Sequence, residues 1–301
     1  MINKSNFLNL GKTLFAGFRK DASFFSRAVV VALLIAVLAL VASTSYIYTN
    51  QEFLIFKFPP KDFSADLKIN SLETELFKFK SGENEVFGWH FIRPNTTNTL
   101  IYFYGVGDNA AKSIKKLNWM SSFLNCSIIC CDYPGYGKST GKTSEKHMDL
   151  FIKDFGKYLS TSKKNGNQNI FLWGYSLGGA LALKYNQKNQ VEFTLLESTF
   201  SSISKIAQEQ FPLVLPFIPF NVINRNPFDN VEAIKKIKNP ILIIHSGKDS
   251  KINIQHAIKL KAASDRVVEL FRTHHEHSIQ FPAELPEYKK VIHKYLSHWF
   301  L

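Results

Sequence analysis

The segment of this chain best suited to covalent chemistry is Gly174-Tyr175-Ser176-Leu177-Gly178. A serine hydroxyl is a weak nucleophile until a neighbouring base takes its proton, and acyl transfer is the reaction it then performs. The segment follows a strand-like run, residues 169–173, and leads into Gly178-Gly179-Ala180-Leu181-Ala182-Leu183, small residues that open a helix. G-x-S-x-G between strand and helix puts the serine on a sharp, strained turn. Glycine stands on either side because only glycine lets strand and helix approach closely enough. The helix N-terminus offers free N–H groups and a positive dipole end to a developing oxyanion.

Such a serine needs a neutral imidazole as base and a carboxylate to orient it. Asp249 lies in Ser246-Gly247-Lys248-Asp249-Ser250, a loop after the apolar run 240–245. Three histidines follow the last strand-like run in Arg272-Thr273-His274-His275-Glu276-His277-Ser278, and residue types leave the base open between His275 and His277. The same cluster is a poor metal site, lacking the helical H-E-x-x-H spacing. No nucleotide-binding glycine loop or haem motif occurs, so neither cofactor nor metal is expected. His245 reads as a structural residue at a strand end, and Cys126, Cys130 and Cys131 as core thiols in a buried strand.

These residues need a scaffold that brings loops together. Strand-like runs occupy residues 74–80, 85–92, 99–104, 127–132, 169–173, 192–196, 240–245 and 266–271, and helical stretches 110–123, 144–162, 178–185, 254–262 and 286–298. From residue 99 on, the strands are mostly continuous apolar runs, as in strands buried on both faces of a parallel sheet. Strand and helix in alternation predict an α/β sheet with helices on both faces. Its chemistry belongs at the carboxyl ends of the strands.

Ahead of this body, residues 28–48 form an apolar stretch of the length that spans about 30 Å of hydrocarbon. Tyr46 and Tyr48 sit where an interfacial aromatic belt belongs, and Lys4, Lys12, Arg19, Lys20 and Arg27 precede it against one acid, Asp21. The expected organisation is a basic cytoplasmic tail at 1–27, a transmembrane anchor at 28–48, a linker with Pro59-Pro60 at 49–73 and a catalytic domain at 74–301, on the exported side by the positive-inside rule. A cleaved signal peptide is the rival reading, because Leu40-Val41-Ala42-Ser43 offers small residues.

The 301 residues, 45% of them hydrophobic, exclude a disordered chain, and three cysteines exclude a disulfide scaffold. The net charge of +13 comes with no nucleic-acid motif, so no nucleic-acid partner is expected. Residues 211–220 are apolar throughout and contain Pro212, Pro216 and Pro219. This segment reads as a cap whose Phe211, Leu215 and Phe217 would contact a small-molecule or lipid-like acyl substrate.

Taken in order, Ser176, Asp249 and a later histidine resemble the α/β-hydrolase superfamily. Within it the chain is similar to small membrane-anchored or exported hydrolases, among them depalmitoylases, lysophospholipase-like enzymes and serine aminopeptidase-like relatives. Beyond the serine turn, four stretches carry the likeness: 99–109, Asp132-Tyr133-Pro134-Gly135-Tyr136-Gly137-Lys138-Ser139, 196–202 and 239–249. The resemblance implies an eight-stranded, mostly parallel sheet with a short apolar cap. Glu276-His277-Ser278-Ile279 resembles the family's histidine turn, which implies His277 as base with His275 the alternative. Carried over by position, the backbone N–H groups of Val106 and Leu177 would hold the oxyanion. Tyr104 stands where the family usually has histidine, and with Tyr175 it is expected at the substrate. The resemblance implies a serine esterase or thioesterase. A peptidase with the same triad, or a catalytically inactive binding protein on this fold, are the alternatives.

Overall fold

The computed structural model describes residues 24–57, 66–70, 72–161, 168–212, 217–218, 220–277 and 286–300. Eight strands make one sheet: β1 (Glu73–Ser81), β2 (Asn84–Ile92), β3 (Asn98–Phe103), β4 (Ser127–Cys131), β5 (Asn169–Tyr175), β6 (Phe193–Glu197), β7 (Ile241–Ser246) and β8 (Val267–Thr273). They lie in the order β1-β2-β4-β3-β5-β6-β7-β8. β1 pairs antiparallel with β2 and β2 with β4, while every pairing from β4 to β8 is parallel. The expected eight-stranded, mostly parallel sheet is therefore present.

Burial explains the sequence pattern. Every residue of β3, β4, β6 and β7 is buried, so these strands read as continuous apolar runs covered on both faces. The edge strand β1 alternates between half-buried and exposed positions. Around the sheet pack α2 (Ala110–Ser121), α3 (Glu145–Thr161), α4 (Leu177–Asn186), α8 (Gln255–Ala262) and α9 (Pro286–Phe300). Order along the sheet reverses at β3, which sits between β4 and β5. A crevice opens at the carboxyl ends of the strands beside such a switch point. The turns after β3, β5, β7 and β8 all reach that end.

Two regions differ from the sequence expectation. Between β6 and β7 lie three short helices, α5 (Ile203–Gln210), α6 (Phe220–Ile223) and α7 (Asn230–Ile234). Ser202 caps α5 by accepting the Lys205 N–H at 3.2 Å. The helix stops just ahead of Pro212, since a residue before proline is disfavoured in the α conformation. Leu215 of the expected cap lies outside the described residues.

The second difference is the apolar N-terminal helix α1, which runs from Phe24 to Phe56, 33 residues, rather than over 28–48. It contains neither Gly nor Pro to break it, and Lys57 ends it with φ 40°. Among the described residues it is the one helix long and apolar enough to cross a membrane. Its first turns stand clear of the domain, with Phe24, Leu33, Ile35 and Leu38 exposed. Its last turns do not. Gln51 Nε2 donates to the Ile223 carbonyl at 3.1 Å and its Oε1 accepts the Arg225 N–H at 2.7 Å. Arg225 pairs with Glu52 at 2.7 Å, and the Tyr136 hydroxyl donates to the Phe56 carbonyl at 2.8 Å. Residues 49–56, expected as linker, are instead the docked end of this helix. The basic tail through residue 23 and Pro59-Pro60 lie outside the described residues.

Candidate active site

Ser176 sits between β5 and α4 with φ 53° and ψ −115°, a left-handed conformation that costs a non-glycine residue energy. The neighbouring glycines make the turn possible. A Cβ on Gly174 would strike the Gly178 carbonyl, and one on Gly178 would strike the Phe103 carbonyl at the end of β3. The turn is pinned from β6: Ser176 N–H donates to the Glu197 carbonyl at 2.9 Å, and the Thr199 hydroxyl donates to the Ser176 carbonyl at 2.7 Å.

His277, after β8, joins the serine to the acid. Its Nε2 is 3.2 Å from Ser176 Oγ and its Nδ1 2.7 Å from Asp249 Oδ2. Asp249 Oδ1 accepts the N–H groups of Lys251 at 2.9 Å and Ile252 at 2.8 Å, which fixes the carboxylate plane. With Asp249 accepting at Nδ1, the neutral ring turns its Nε2 lone pair toward the hydroxyl. Burial pushes the Asp249 carboxyl up. The hydrogen bond and charge of His277, with the two backbone donors, outweigh burial and hold it below its ordinary value. Among the described residues, no hydrogen bond or ion pair joins His275 to Ser176 or Asp249.

Two further groups brace this line. His245 Nε2 donates to the Ile252 carbonyl at 2.8 Å and lies 3.6 Å from Asp249 Oδ2. Burial lowers its pKa, which favours the neutral ring behind the carboxylate. The Tyr175 hydroxyl donates to the His277 carbonyl at 2.6 Å. Behind Tyr175, Lys116 Nζ lies 4.5 Å from its ring centroid and pairs with Glu197 at 2.5 Å, while the Trp173 indole donates to the same carboxylate at 2.6 Å. Both ends of this ion pair are buried, so each needs the other to offset its lost hydration. Lys116 follows Lys112 and Lys115 on α2, a run of cations that by residue type alone looks like a solvated face.

Val106, in the turn after β3, and Leu177, first residue of α4, border the same cavity as Ser176 and His277. Neither backbone N–H has a partner among the described residues, so both can donate to an oxygen placed beside Ser176. The cavity holds about 710 Å³. Its cap side carries Ile203, Ile206, Ala207 and Phe211, and side chains of α1 close a third side.

Three expected substrate contacts, Tyr104, Tyr175 and Phe217, do not line this cavity. Tyr104 is completely buried; its hydroxyl lies 3.3 Å from Asp132 Oδ1 and accepts the Tyr133 N–H at 3.0 Å, a role inside the core. Tyr175 spends its hydroxyl on His277. Phe217 is 70% exposed and lines a groove with Leu40, Val41 and Tyr48 of α1, not the cavity that holds Ser176. Phe211 does line the cavity. Cys126, Cys130 and Cys131 are buried free thiols, and burial pushes Cys126 up to about 12.

Comparison with known proteins extends this picture. A family model described as serine aminopeptidase S33 matches residues 96–215. The alpha/beta hydrolase domain-containing protein 17C of Xenopus laevis is 27% identical over 197 residues, 65% of this chain and 61% of that protein. The human protein 17B is 28% identical over 210 residues, 68% of this chain and 70% of that one. The match thus spans about three fifths of the frog relative's length. Among solved structures, an esterase of Pyrococcus furiosus superposes with a TM-score of 0.65 at 19% identity, covering 80% of this chain and 96% of that one. Mouse alpha/beta hydrolase domain-containing protein 10 gives 0.52 at 17% identity, with 74% and 99% covered. The matched residues 96–215 hold the Val106 turn and Ser176 at the end of β5; with the sheet order and the superposition, this chain has the α/β-hydrolase fold.

Proposed function

We propose that this chain is a membrane-anchored serine hydrolase that cleaves a carboxylic ester or thioester of an apolar acyl substrate. One observation carries the reading: Ser176, His277 and Asp249 stand in hydrogen-bonded line at the edge of a cavity whose other walls are mostly apolar. Ser176 Oγ attacks the acyl carbonyl as its proton passes to His277 Nε2. The resulting oxyanion is held by the Val106 and Leu177 N–H groups, each such donor contributing about 3 kcal/mol. Collapse expels the alcohol or thiol, which takes the proton from His277 and leaves an acyl ester on Ser176. A water molecule then gives its proton to the same nitrogen, attacks the acyl carbon, and releases the acid and the serine. Asp249 stays ionised and stabilises the imidazolium throughout.

In this reading residues 1–27 form a cytoplasmic tail, 28–48 lie within the membrane and 74–301 form the domain on its other side, as the five cations ahead of residue 28 favour. A peptidase with the same triad is the second reading, favoured by the description of the matching family model. The mostly apolar lining weighs against it, because a peptide's amide groups would lose hydrogen bonds there.

Full-length protein in detergent, offered p-nitrophenyl esters from two to sixteen carbons, acyl thioesters and aminoacyl anilides, separates the readings. Ester or thioester turnover that rises with chain length, with an acyl adduct on Ser176 in intact-mass spectra, is the expected result. Turnover of anilides alone would replace the esterase by the peptidase, and no turnover with an intact fold would leave a binding protein.

A further inference from the structure

The third wall of the cavity is the membrane helix itself. Ala42, Ser43, Tyr46, Ile47, Leu54 and Ile55 of α1 line the same cavity as Ser176 and His277, although they are more than 120 residues away in the chain. This wall is held in place rather than merely near: Gln51 is 3% exposed and bonded to both Ile223 and Arg225, and Phe56 is fully buried. Resting on the proposed hydrolase reading, we infer that α1 is both anchor and acyl-binding wall, and that the acyl chain of a bilayer-resident ester slides into the site along it without crossing water.

Distances along the helix support this route. Residues 28–48 rise about 30 Å along the axis, the thickness of the hydrocarbon layer. Leu40 and Val41 are the first residues of α1 to meet the cap groove, and the wall begins at Ala42, within the last two turns of that span. The cap adds to the same side. Phe211, Phe217 and Val222 are 54%, 70% and 85% exposed, and Phe217 and Ile223 share a groove with Leu40 and Val41 of α1. Exposed aromatic and aliphatic side chains beside a membrane span lie favourably in the interfacial layer rather than in water. A chain entering there trades lipid for Ile47, Leu54 and Phe211, so none of its methylenes needs to be hydrated on the way. A substrate dissolved in water gains nothing from this arrangement.

The test uses full-length protein reconstituted in phosphatidylcholine vesicles. It reads the ratio of hydrolysis of a sixteen-carbon ester dissolved in the bilayer to that of a water-soluble four-carbon ester. Ala42→Trp and Ile47→Trp, which fill the wall, should lower this ratio at least tenfold. Phe53→Trp, on the same turns but exposed and outside the cavity, should leave it where it is. An unchanged ratio in both wall variants, with fluorophosphonate labelling of Ser176 retained, overturns the inference while the hydrolase reading stands. Absence of labelling in the wild type defeats that reading itself, and the inference with it. Should the wall variants fail to label, a wild-type measurement decides: a long-chain fluorophosphonate with a diazirine in its tail should crosslink within residues 42–57. Crosslinks confined to 203–211 would contradict the route.

Discussion

The two sides of the cavity are built by different rules. On the sheet side, Ser176, Asp249 and His277 are fixed by backbone strain and hydrogen bonds, and Tyr175, bonded to the His277 carbonyl, carries its ring against the ammonium of the buried Lys116–Glu197 pair. On the other side, α1, α5 and the residue after α5 offer Ile47, Leu54, Ile206 and Phe211, apolar side chains that meet the cavity without hydrogen bonds. Directional bonds tolerate little displacement, whereas dispersion and apolar burial fall off gradually and accept many shapes. The chemistry is therefore confined to one side of the site and substrate preference to the other, and a change on one side should alter one property and spare the other.

Substitutions can break that division, beginning with the largest effect. Ser176→Ala should lower kcat by about 10⁶ for every ester, since nothing else can form the acyl-enzyme; steady-state rates across chain lengths check this. Asp249→Asn should cost about 10⁴, by favouring the wrong imidazole tautomer at unchanged geometry, again equally for short and long chains. Tyr175→Phe removes one hydrogen bond to the His277 backbone, worth about 1 kcal/mol. A fall of about fivefold in kcat is expected, with the chain-length preference untouched.

Phe211→Ala, on the apolar side, should do the reverse. KM for long-chain esters should rise a few-fold, matching about 1 kcal/mol for a half-buried ring, while the pH profile of kcat stays the same. A kcat loss common to all chain lengths would show that the two sides are not separable.

The smallest effect concerns pH. Burial lowers the pKa of His245, so the folded protein binds its proton less readily than the unfolded chain does. Its contribution is fully present above the ordinary histidine value of about 6.5 and is lost as pH falls from there toward the lowered folded value. Tm should decline below about pH 6.5, and His245→Gln should flatten that decline.

How much was legible in the sequence follows the same division. Strands buried on both faces must be apolar throughout, so β3 to β7 could be found by composition. The serine turn needs glycine on both sides of Ser176, which leaves a written trace. Packing partners leave none. Tyr104 looks in the sequence like a side chain at the mouth of the site, yet its hydroxyl is satisfied by Asp132 and Tyr133 in the core. The helices α5, α6 and α7, of 8, 4 and 5 residues, are too short for a 3.6-residue period to emerge. Asn50, Gln51 and Glu52 look like the polar start of a linker. They continue the helix because Gln51 and Glu52 find partners on the cap, Gln51 at Ile223 and Arg225 and Glu52 at Arg225, a contact between residues more than 170 positions apart.

All of this chemistry depends on Ser176 being activated by His277. Full-length protein, with α1 retained because residues 42–57 form part of the cavity, should be treated with a small fluorophosphonate beside Ser176→Ala, His277→Ala and His275→Ala. Labelling is expected of the wild type and of His275→Ala, and none of the other two. Labelling that persists in His277→Ala but vanishes in His275→Ala would contradict it.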